Sequence, residues 1–160
     1  MTELITLVGP SNSGKSTYAL NYVNDHPNTY IVSRDSEREA LFGHYRQGSK
    51  EEEAIITQIV YIKVVHLLKS GCNVILDNCH LNMKYLSRTL EDYDNLANIR
   101  FELMPEHSLE LLLERNRRRE KVTGKYVPER VIKDHHRRYT DLKREFDEGT
   151  FPTYFGKKTL

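Results

Sequence analysis

The sequence has few cysteines, and they are poorly placed for a disulfide or a zinc site. Cys72 and Cys79 are the only two in 160 residues, and they flank an apolar segment without forming a C-x-x-C pair. The seven histidines show no metal-ligand spacing beyond the adjacent His135 and His136. We therefore expect neither a disulfide nor a zinc ion in this protein.

The sequence also has no long hydrophobic run. A membrane-spanning helix needs about 18 or more apolar residues, whereas the most apolar segment, residues 54–68, is interrupted by Gln58, Lys63 and His66. The first residues contain no basic region followed by an apolar one, as a secretory leader would. These absences lead us to expect a cytoplasmic protein with no membrane partner.

Neither sign of charge is in large excess over the whole chain. The net charge is +1 and charged residues make up 29% of the sequence, which indicates a soluble protein but no particular partner. The length of 160 residues suits one domain, and we expect no second. Residues 111–140 differ, with ten Lys or Arg against four acids. Such a segment is usually a solvated helix face, but it can also bind nucleotide or nucleic-acid phosphates.

The most informative motif is G-x-x-x-x-G-K-S at residues 9–16, directly after the apolar run at residues 4–8. In a phosphate-binding loop of this kind, glycines can take positive φ and let backbone N–H groups surround an anion. Lys15 reaches the β and γ phosphates, and the Ser16 hydroxyl binds Mg²⁺. We predict that the chain binds ATP or another nucleoside triphosphate, through Gly9, Ser11, Ser13, Gly14, Lys15, Ser16 and Thr17.

Apolar runs typical of buried strands alternate with helical stretches. The runs lie at residues 4–8, 30–32 and 74–76, with a more mixed one at 99–103. The longest helix is framed by a capping box, Ser49 and Glu52, and by Gly71; it is apolar on most sides, so we expect it to be buried against the sheet. The alternation predicts an α/β fold with a parallel sheet of four to five strands flanked by helices, and a ligand site at the carboxyl ends of the strands.

Charged side chains follow the second predicted strand. Asp35 lies at the same edge of the sheet as the phosphate loop, where its carboxylate can either accept a hydroxyl proton or cap the next helix. Arg38 is three residues later. On a helix it would lie on the same side as Asp35, placed for an ordinary ion pair or for a substrate phosphate.

The third predicted strand ends in Asp77 and Asn78. An apolar strand closing with a carboxylate is expected of the second nucleotide-binding motif in phosphate-loop proteins. Asp77 can hold Mg²⁺ through water, or it can orient Arg38. Asn78 and Asn82 can contact a ligand or form turns.

Arginines follow a helix that is predicted to begin near Ser108. Arg115 and Arg119 are four residues apart, so on a helix both can reach across the phosphate loop and neutralise charge on a transferred phosphoryl group. Residues 122–126 lack helical periodicity and contain Gly124, which suits a mobile connection before Pro128 starts another helix. We therefore expect an arginine-bearing lid at about residues 115–127.

These motifs together resemble the kinase domain of bacteriophage-type polynucleotide 5′-kinases, members of the P-loop kinase superfamily. The resemblance rests on the order and spacing of segments 9–17, 33–38, 76–82 and 114–119, with the later Val127-Pro128, and it covers nearly the whole chain. It departs from the family at Asn78, where the family has Thr, and in the length of the lid. No D-x-D-G-T phosphatase signature follows, so the chain resembles the kinase half alone.

The resemblance implies a transfer of the ATP γ-phosphate to the 5′-hydroxyl of DNA or RNA, in nucleic-acid end repair. In that role Lys15 and Ser16 would hold the phosphates and Mg²⁺, Asp35 would be the general base, and Arg119 the lid arginine. Arg38 would bind the substrate phosphate on the 3′ side, braced by Asp77 and with Asn78 nearby. A separate 3′-phosphatase or ligase would be a partner.

Two other functions fit the sequence. A small-molecule kinase acting on a nucleoside, nucleotide or other metabolite would use the same loop and lid, with Arg38 on a substrate phosphate. A nucleotide-gated binding module is the second, but the sequence lacks an N-K-x-D guanine-reading motif, and Asp35 with Arg38 would have no evident task in it. Aromatic residues at 151–155 can stack on a base, although packing onto the core is the expectation.

Overall fold

The protein has a central sheet of four parallel strands. The computed structural model describes residues 1–149. The spatial order of the strands is β2-β3-β1-β4, so the phosphate loop follows an inner strand. Each strand is followed by at least one helix, which confirms the predicted α/β class. The elements are β1 Glu3–Val8, α1 Lys15–Asp25, β2 Thr29–Val32, α2 Arg34–Phe42, α3 Lys50–Lys69, β3 Asn73–Leu76, α4 Met83–Tyr93, β4 Asn98–Leu103, α5 Leu109–Thr123 and α6 Glu129–Asp147.

Parallel pairing brings the ends of three strands to one edge of the sheet. Ile5 of β1 pairs with Ile75 of β3, and Ile75 in turn pairs with Ile31 of β2. The chain segments that leave β1, β2 and β3 at their carboxyl ends therefore emerge side by side. This is the edge at which open parallel sheets bind ligands.

The two faces of β1 contact different helices because side chains alternate along a strand. Leu4 belongs to a buried cluster with residues of α3, and Val8 belongs to a cluster with α4 and α6. Ile5 and Leu7 point to the other face, where they pack with Ala19 of α1. All four of these strand residues are 0% exposed, so the strand that precedes the phosphate loop is fixed on both sides.

The longest helix, α3, is buried along one stripe rather than on most sides. Its capping box is present as predicted, since the Ser49 side chain accepts from Glu52 N and the Glu52 side chain accepts from Ser49 N. The buried stripe consists of Ile56, Val60, Val64 and Leu68. This stripe packs on Leu4, Val74 and Leu76 of the strands, so the predicted burial of α3 against the sheet is confirmed. Ile55 and Ile62, in contrast, are 49% and 62% exposed, so its apolar residues are not all buried. No helix within residues 1–149, including α3, is long and apolar enough to cross a membrane.

The boundary of α5 differs from the sequence-based expectation. Val122 and Thr123 belong to the helix, which ends at the C-cap Gly124 with φ 71°. Pro128 is the N-cap of α6, so the connection between the two helices is only residues 124–128. The packing predicted for residues 151–155 lies outside the described part of the chain.

Candidate active site

The phosphate loop joins β1 to α1, and its two motif glycines are required for different reasons. Gly14, the N-cap of α1, has φ 98° in the left-handed region that favours glycine. Gly9 has no positive φ, contrary to the sequence-based interpretation. A Cβ at Gly9 would instead lie 2.8 Å from Met104 Cγ and 2.7 Å from Ser13 Oγ. Gly9 is therefore needed for close approach, and Gly14 for backbone conformation.

Lys15 is the first residue of α1, and its side chain folds back to contact the loop. Its ammonium donates to the carbonyl oxygens of Gly9, at 2.9 Å, and Pro10, at 2.6 Å. The residue is only 8% exposed. The two carbonyls hold the buried ammonium inside the loop, where an anion would be bound.

Ser16 and Asp77 meet across the edge of the sheet. The Ser16 hydroxyl donates to Asp77 Oδ2 at 2.7 Å, which connects the start of α1 with the end of β3. Ser16 is exposed, and so is the next residue, Thr17. A hydroxyl beside a carboxylate is an oxygen-donor pair of the kind that holds Mg²⁺, directly or through water, next to nucleotide phosphates. The pair thus fits the predicted metal.

Two serines of the loop, Ser11 and Ser13, differ in their surroundings. Ser11 Oγ lies 3.0 Å from Nδ1 of His135, a residue of α6, and both lie 4.0 Å from Cys79 Sγ. Burial raises the pKa of the Cys79 thiol, but the charge of Lys15 and the contact with His135 outweigh burial and lower it to about 7. Ser13 is 3% exposed, and its hydroxyl has no hydrogen-bond partner in residues 1–149. Sequence reasoning missed His135 because nothing in its local pattern points to the loop.

The first turn of α2 carries the predicted general base. Ser33 is the N-cap and accepts from Ser36 N, so the alternative that Asp35 caps this helix is wrong. Asp35 lies in the first turn, and Arg38 donates to its Oδ1 at 2.7 Å. Of the two side chains, Asp35 is 59% exposed and Arg38 only 11%. The carboxylate is therefore accessible from the cleft, while the guanidinium lies behind it.

The electrostatic surroundings of Asp35 bring together residues from four segments. Partial withdrawal from water is the main cause of its raised pKa, and the charge of Arg38 opposes it most strongly. Asp77 raises the pKa further, whereas Arg119 and Lys15 lower it. Asp35 therefore lies within electrostatic range of Lys15 of the phosphate loop and of Arg119 of α5.

Arg38 has a second carboxylate partner that sequence reasoning missed. Glu53 of α3 accepts from Arg38 Nε at 2.7 Å and from a terminal nitrogen of Arg38 at 2.8 Å. The same Glu53 oxygen, Oε2, accepts from Arg34 at 2.8 Å. The pairing of Asp77 with Arg38 that the resemblance implies is not observed among the described residues. Glu53 follows no strand, so no sequence signal marked it as part of the cleft.

The asparagines after β3 have structural partners. Asn78 Oδ1 accepts from Arg34 N at 3.0 Å, which ties the end of β3 to the start of α2. Asn82 is the N-cap of α4 and accepts from Tyr85 N at 2.9 Å. Of the two alternatives for Asn82, the structure favours the turn-forming one. Substrate binding by Asn78 stays a prediction.

The arginine-bearing face of α5 covers the loop. Arg115 donates to the carbonyl of Asn12 at 3.1 Å, and Asn12 Nδ2 donates to Asn116 Oδ1 at 3.3 Å. Asn116 also holds the α5–α6 connection, donating to Val127 O at 2.8 Å and accepting from Val127 N at 3.1 Å. At 1% exposed, Asn116 is the buried polar link between loop and lid. Arg119 lies one turn further along the helix.

We expect that Asn116→Ala will loosen this link. The substitution leaves both polar atoms of the Val127 backbone without their side-chain partner, at a cost of about 2 kcal/mol or more. In a chain of this size that lowers Tm by roughly 4 to 8 °C. Thermal unfolding followed by circular dichroism measures the change, with the exposed Asn95→Ala as the matched control. Equal melting of both variants would contradict the assigned role of Asn116.

The α5–α6 connection is docked onto the segment after α2. Tyr45 OH donates to Tyr126 O at 2.7 Å and accepts from Tyr126 N. Lys125 forms an ion pair with Glu39 and lies 5.4 Å from the centre of the Tyr45 ring. The predicted lid thus consists of the end of α5 and a short connection that contacts the α2 side of the cleft.

Three of the ten cations in the basic segment, residues 111–140, form ion pairs with acids of the same segment. Arg118 pairs with Glu114 at 2.9 Å, and Asp134 pairs with Arg137 at 2.7 Å and with Arg138 at 2.8 Å. These exposed helical pairs are typical of a solvated face and contribute little to stability. For these residues the structure favours the solvated-face interpretation over a phosphate-binding one.

Comparisons with known proteins place this site in a family. Residues 4–142 match the AAA domain family, which is most of the chain. A chain of the Pnkp1/Rnl/Hen1 RNA repair complex is 32% identical with a TM-score of 0.84, over 91% of this chain and 46% of that one. A chain in another structure of a Pnkp1/Rnl/Hen1 complex is 33% identical with a TM-score of 0.68, over 71% of this chain and 38% of that one. This chain therefore spans less than half the length of both.

A more distant structure shares the fold alone. The APS kinase CysC of Mycobacterium tuberculosis, in complex with AMPPNP and APS, is 14% identical with a TM-score of 0.56, over 76% of this chain and 69% of that one. Together with the four-stranded parallel sheet and the loop at residues 9–16, these matches confirm the predicted relationship to phosphate-loop kinases. The chain belongs to the AAA domain family, and its fold is that of phosphate-loop kinases.

Proposed function

We propose that this protein transfers the γ-phosphate of ATP to the 5′-hydroxyl of a nucleic-acid end. The observation that carries the proposal is the pair formed by Asp35 and Arg38 opposite the phosphate loop, with an accessible carboxylate in front of a guanidinium that is mostly withdrawn from solvent. A carboxylate suits an acceptor hydroxyl, and a guanidinium suits a phosphate next to that hydroxyl. A nucleotide-gated binding module would need neither group.

The donor half of the site is the loop and the helix above it. Backbone groups from Gly9 to Thr17, including those of Ser11, Ser13 and Gly14, would surround the phosphates of ATP. On binding, Lys15 would exchange its two carbonyl acceptors for phosphate oxygens. Arg115 and Arg119 would lie over the γ-phosphate and neutralise the charge that develops there.

Ser16 and Asp77 would hold Mg²⁺ beside the nucleotide, Ser16 by its hydroxyl and Asp77 through water. The ion would neutralise phosphate charge during transfer. This use of Asp77 is one of the two that the sequence allowed. The contact of Asp77 with Ser16, rather than with Arg38, supports it.

Transfer would proceed by in-line displacement. The acceptor 5′-oxygen forms a bond to the γ-phosphorus while the bond from that phosphorus to the β,γ-bridging oxygen breaks, so ADP leaves. Asp35 accepts the hydroxyl proton and later releases it to water. Arg38, which donates to Asp35 in the free protein, would donate its remaining N–H groups to the acceptor phosphate, with Asn78 near that phosphate. The site would thus provide a proton acceptor, Asp35, and a group that binds the acceptor phosphate, Arg38.

Similarity to a chain of an RNA repair complex supports a nucleic-acid acceptor. End repair would then also require a 3′-phosphatase or a ligase as partner. The decisive experiment supplies γ-labelled ATP and Mg²⁺ with 5′-hydroxyl RNA and DNA oligonucleotides, and in parallel with nucleosides, nucleoside monophosphates and sugars. We expect label on the oligonucleotides. Label on small molecules alone would instead identify a small-molecule kinase, and partner binding without any transfer would identify a binding module.

We also expect transfer to slow as the pH is lowered, and to do so at a higher pH than it would with a base of ordinary aspartate pKa. The pKa of Asp35 is raised by withdrawal from water, so the base is protonated, and transfer is lost, as the pH falls through that raised value. Arg38 lowers the pKa, so Arg38→Ala should move the acidic limb of kcat to still higher pH. The measurement is kcat against pH for both proteins. If the fall of kcat at acidic pH occurs at the same pH in Arg38→Ala as in wild type, Asp35 is not the base.

A further inference from the structure

Glu53 is a partly buried carboxylate that touches the acceptor side of the cleft but has no role in the mechanism above. It lies in the first turn of α3, and its side chain is 16% exposed. Its two oxygens accept from both Arg34 and Arg38. Gly48 N also donates to Glu53 Oε1, at 3.2 Å, so the carboxylate is bound from three sides.

The contact with Arg38 has the geometry that fixes a guanidinium most firmly. Two parallel N–H groups of Arg38, at Nε and at one terminal nitrogen, meet the two oxygens of Glu53 at 2.7 and 2.8 Å. A third N–H donates to Asp35. A guanidinium has five N–H groups, so two remain for a ligand. Their direction is set by the plane in which Glu53 holds the group.

We infer that Glu53 is a positioning residue for the acceptor site: by holding Arg38 in one plane from behind, it aims the remaining N–H groups at the phosphate of the incoming nucleic acid. The inference rests on the proposed function. It assigns specificity for a phosphate-bearing acceptor to a residue of α3, outside the three strand ends that form the rest of the cleft. Glu53 itself touches neither substrate.

A purely structural role would look different. Glu37 and Lys63 form another ion pair between α2 and α3, at 2.6 Å, and the Glu37 side chain is 11% exposed. That pair joins the same two helices, but the Glu37 side chain bonds to Lys63 and not to Arg38. If Glu53 only held α2 against α3, its loss and the loss of Glu37 would have the same consequences. Glu37→Gln is therefore the matched control.

The test compares two acceptors, a nucleoside 3′-phosphate and the same nucleoside without phosphate, with wild type, Glu53→Gln, Glu53→Ala and Glu37→Gln. Residues that orient a ligand-binding group typically change affinity by about 10- to 100-fold. We expect Glu53→Gln and Glu53→Ala to raise KM for the 3′-phosphate by about 10-fold or more, with the KM for ATP and transfer to the plain nucleoside little changed. Glu37→Gln should leave all three unchanged. Circular dichroism melting reports the folded state of each variant.

A double-mutant cycle with Arg38→Ala provides the second readout. Because Glu53 acts through Arg38, adding Glu53→Gln to Arg38→Ala should have no further effect on the KM for the 3′-phosphate. Additive effects, or equal losses on both acceptors, would overturn the positioning role. If wild type labels no phosphate-bearing acceptor at all, the proposed function fails and the inference fails with it. If wild type labels the 3′-phosphate and Glu53→Gln does so equally well, only the inference fails.

Discussion

Replacement of Asp35 by alanine is expected to reduce phosphoryl transfer by about 100- to 10,000-fold, the usual contribution of a general base. The carboxylate is the accessible member of its pair with Arg38 and lies within electrostatic range of Lys15, Asp77 and Arg119. Without it, the acceptor hydroxyl has no group to take its proton. The loss should appear in kcat with a 5′-hydroxyl oligonucleotide, because Asp35 is not expected to hold ATP.

The fold should survive the loss of Asp35. Its side chain is 59% exposed and the helix is capped by Ser33, so the substitution empties no buried space. Glu37 is the other acid in the first turn of α2, and Glu37→Gln controls for the loss of negative charge at a helix N-terminus. Asp35→Ala turnover close to that of Glu37→Gln would remove Asp35 from the mechanism. Calorimetric titration with a non-hydrolysable ATP analogue should give the same affinity for both variants.

Replacement of Lys15 by alanine is the second large effect. We expect transfer to fall by at least about 100- to 1000-fold, by analogy with the removal of one preorganised electrostatic contact. Lys15 is 8% exposed and its ammonium is held at the loop by the carbonyls of Gly9 and Pro10. The ammonium thus lies at the loop before the nucleotide arrives, and no other lysine within residues 1–149 forms a hydrogen bond to the loop.

Unlike Asp35→Ala, Lys15→Ala should weaken ATP binding as well as transfer, since the lysine contacts the donor. Calorimetric titration with the same analogue separates the two variants. Lys69→Ala, which removes an exposed lysine from the last turn of α3, is the matched control. Unchanged nucleotide affinity in Lys15→Ala would show that the loop does not bind phosphates through this side chain.

The donor half of the site could be predicted from the sequence because its signals are local. Residues 9–16 are contiguous, and one stretch of chain specifies both the strand that ends before them and the helix that begins at Lys15. The capping box at Ser49 is local for the same reason. Parallel pairing then fixed the edge at which the segments after β2 and β3 meet, so Asp35 and Asp77 could be assigned to one cleft.

The partners of those residues could not be predicted, because they are distant in sequence and depend on how helices are rotated and placed. Arg38 is bound by Glu53, fifteen residues away on another helix. Ser11 is bound by His135 of α6, and Asn12 by Asn116 of α5. In α3 the apolar residues surround the helix, so periodicity could not tell which stripe is buried.

Thus the sequence by itself determined which functional groups follow the ends of the strands, since motif, strand and helix start are carried by neighbouring residues. Only the tertiary structure decided which side chains hold that chemistry in place. Asp77 accepts a hydrogen bond from Ser16 rather than pairing with Arg38, and Arg38 forms an ion pair with Glu53. The physical reason is that an ion pair needs two charged groups within about 4 Å, and packing between helices sets that distance.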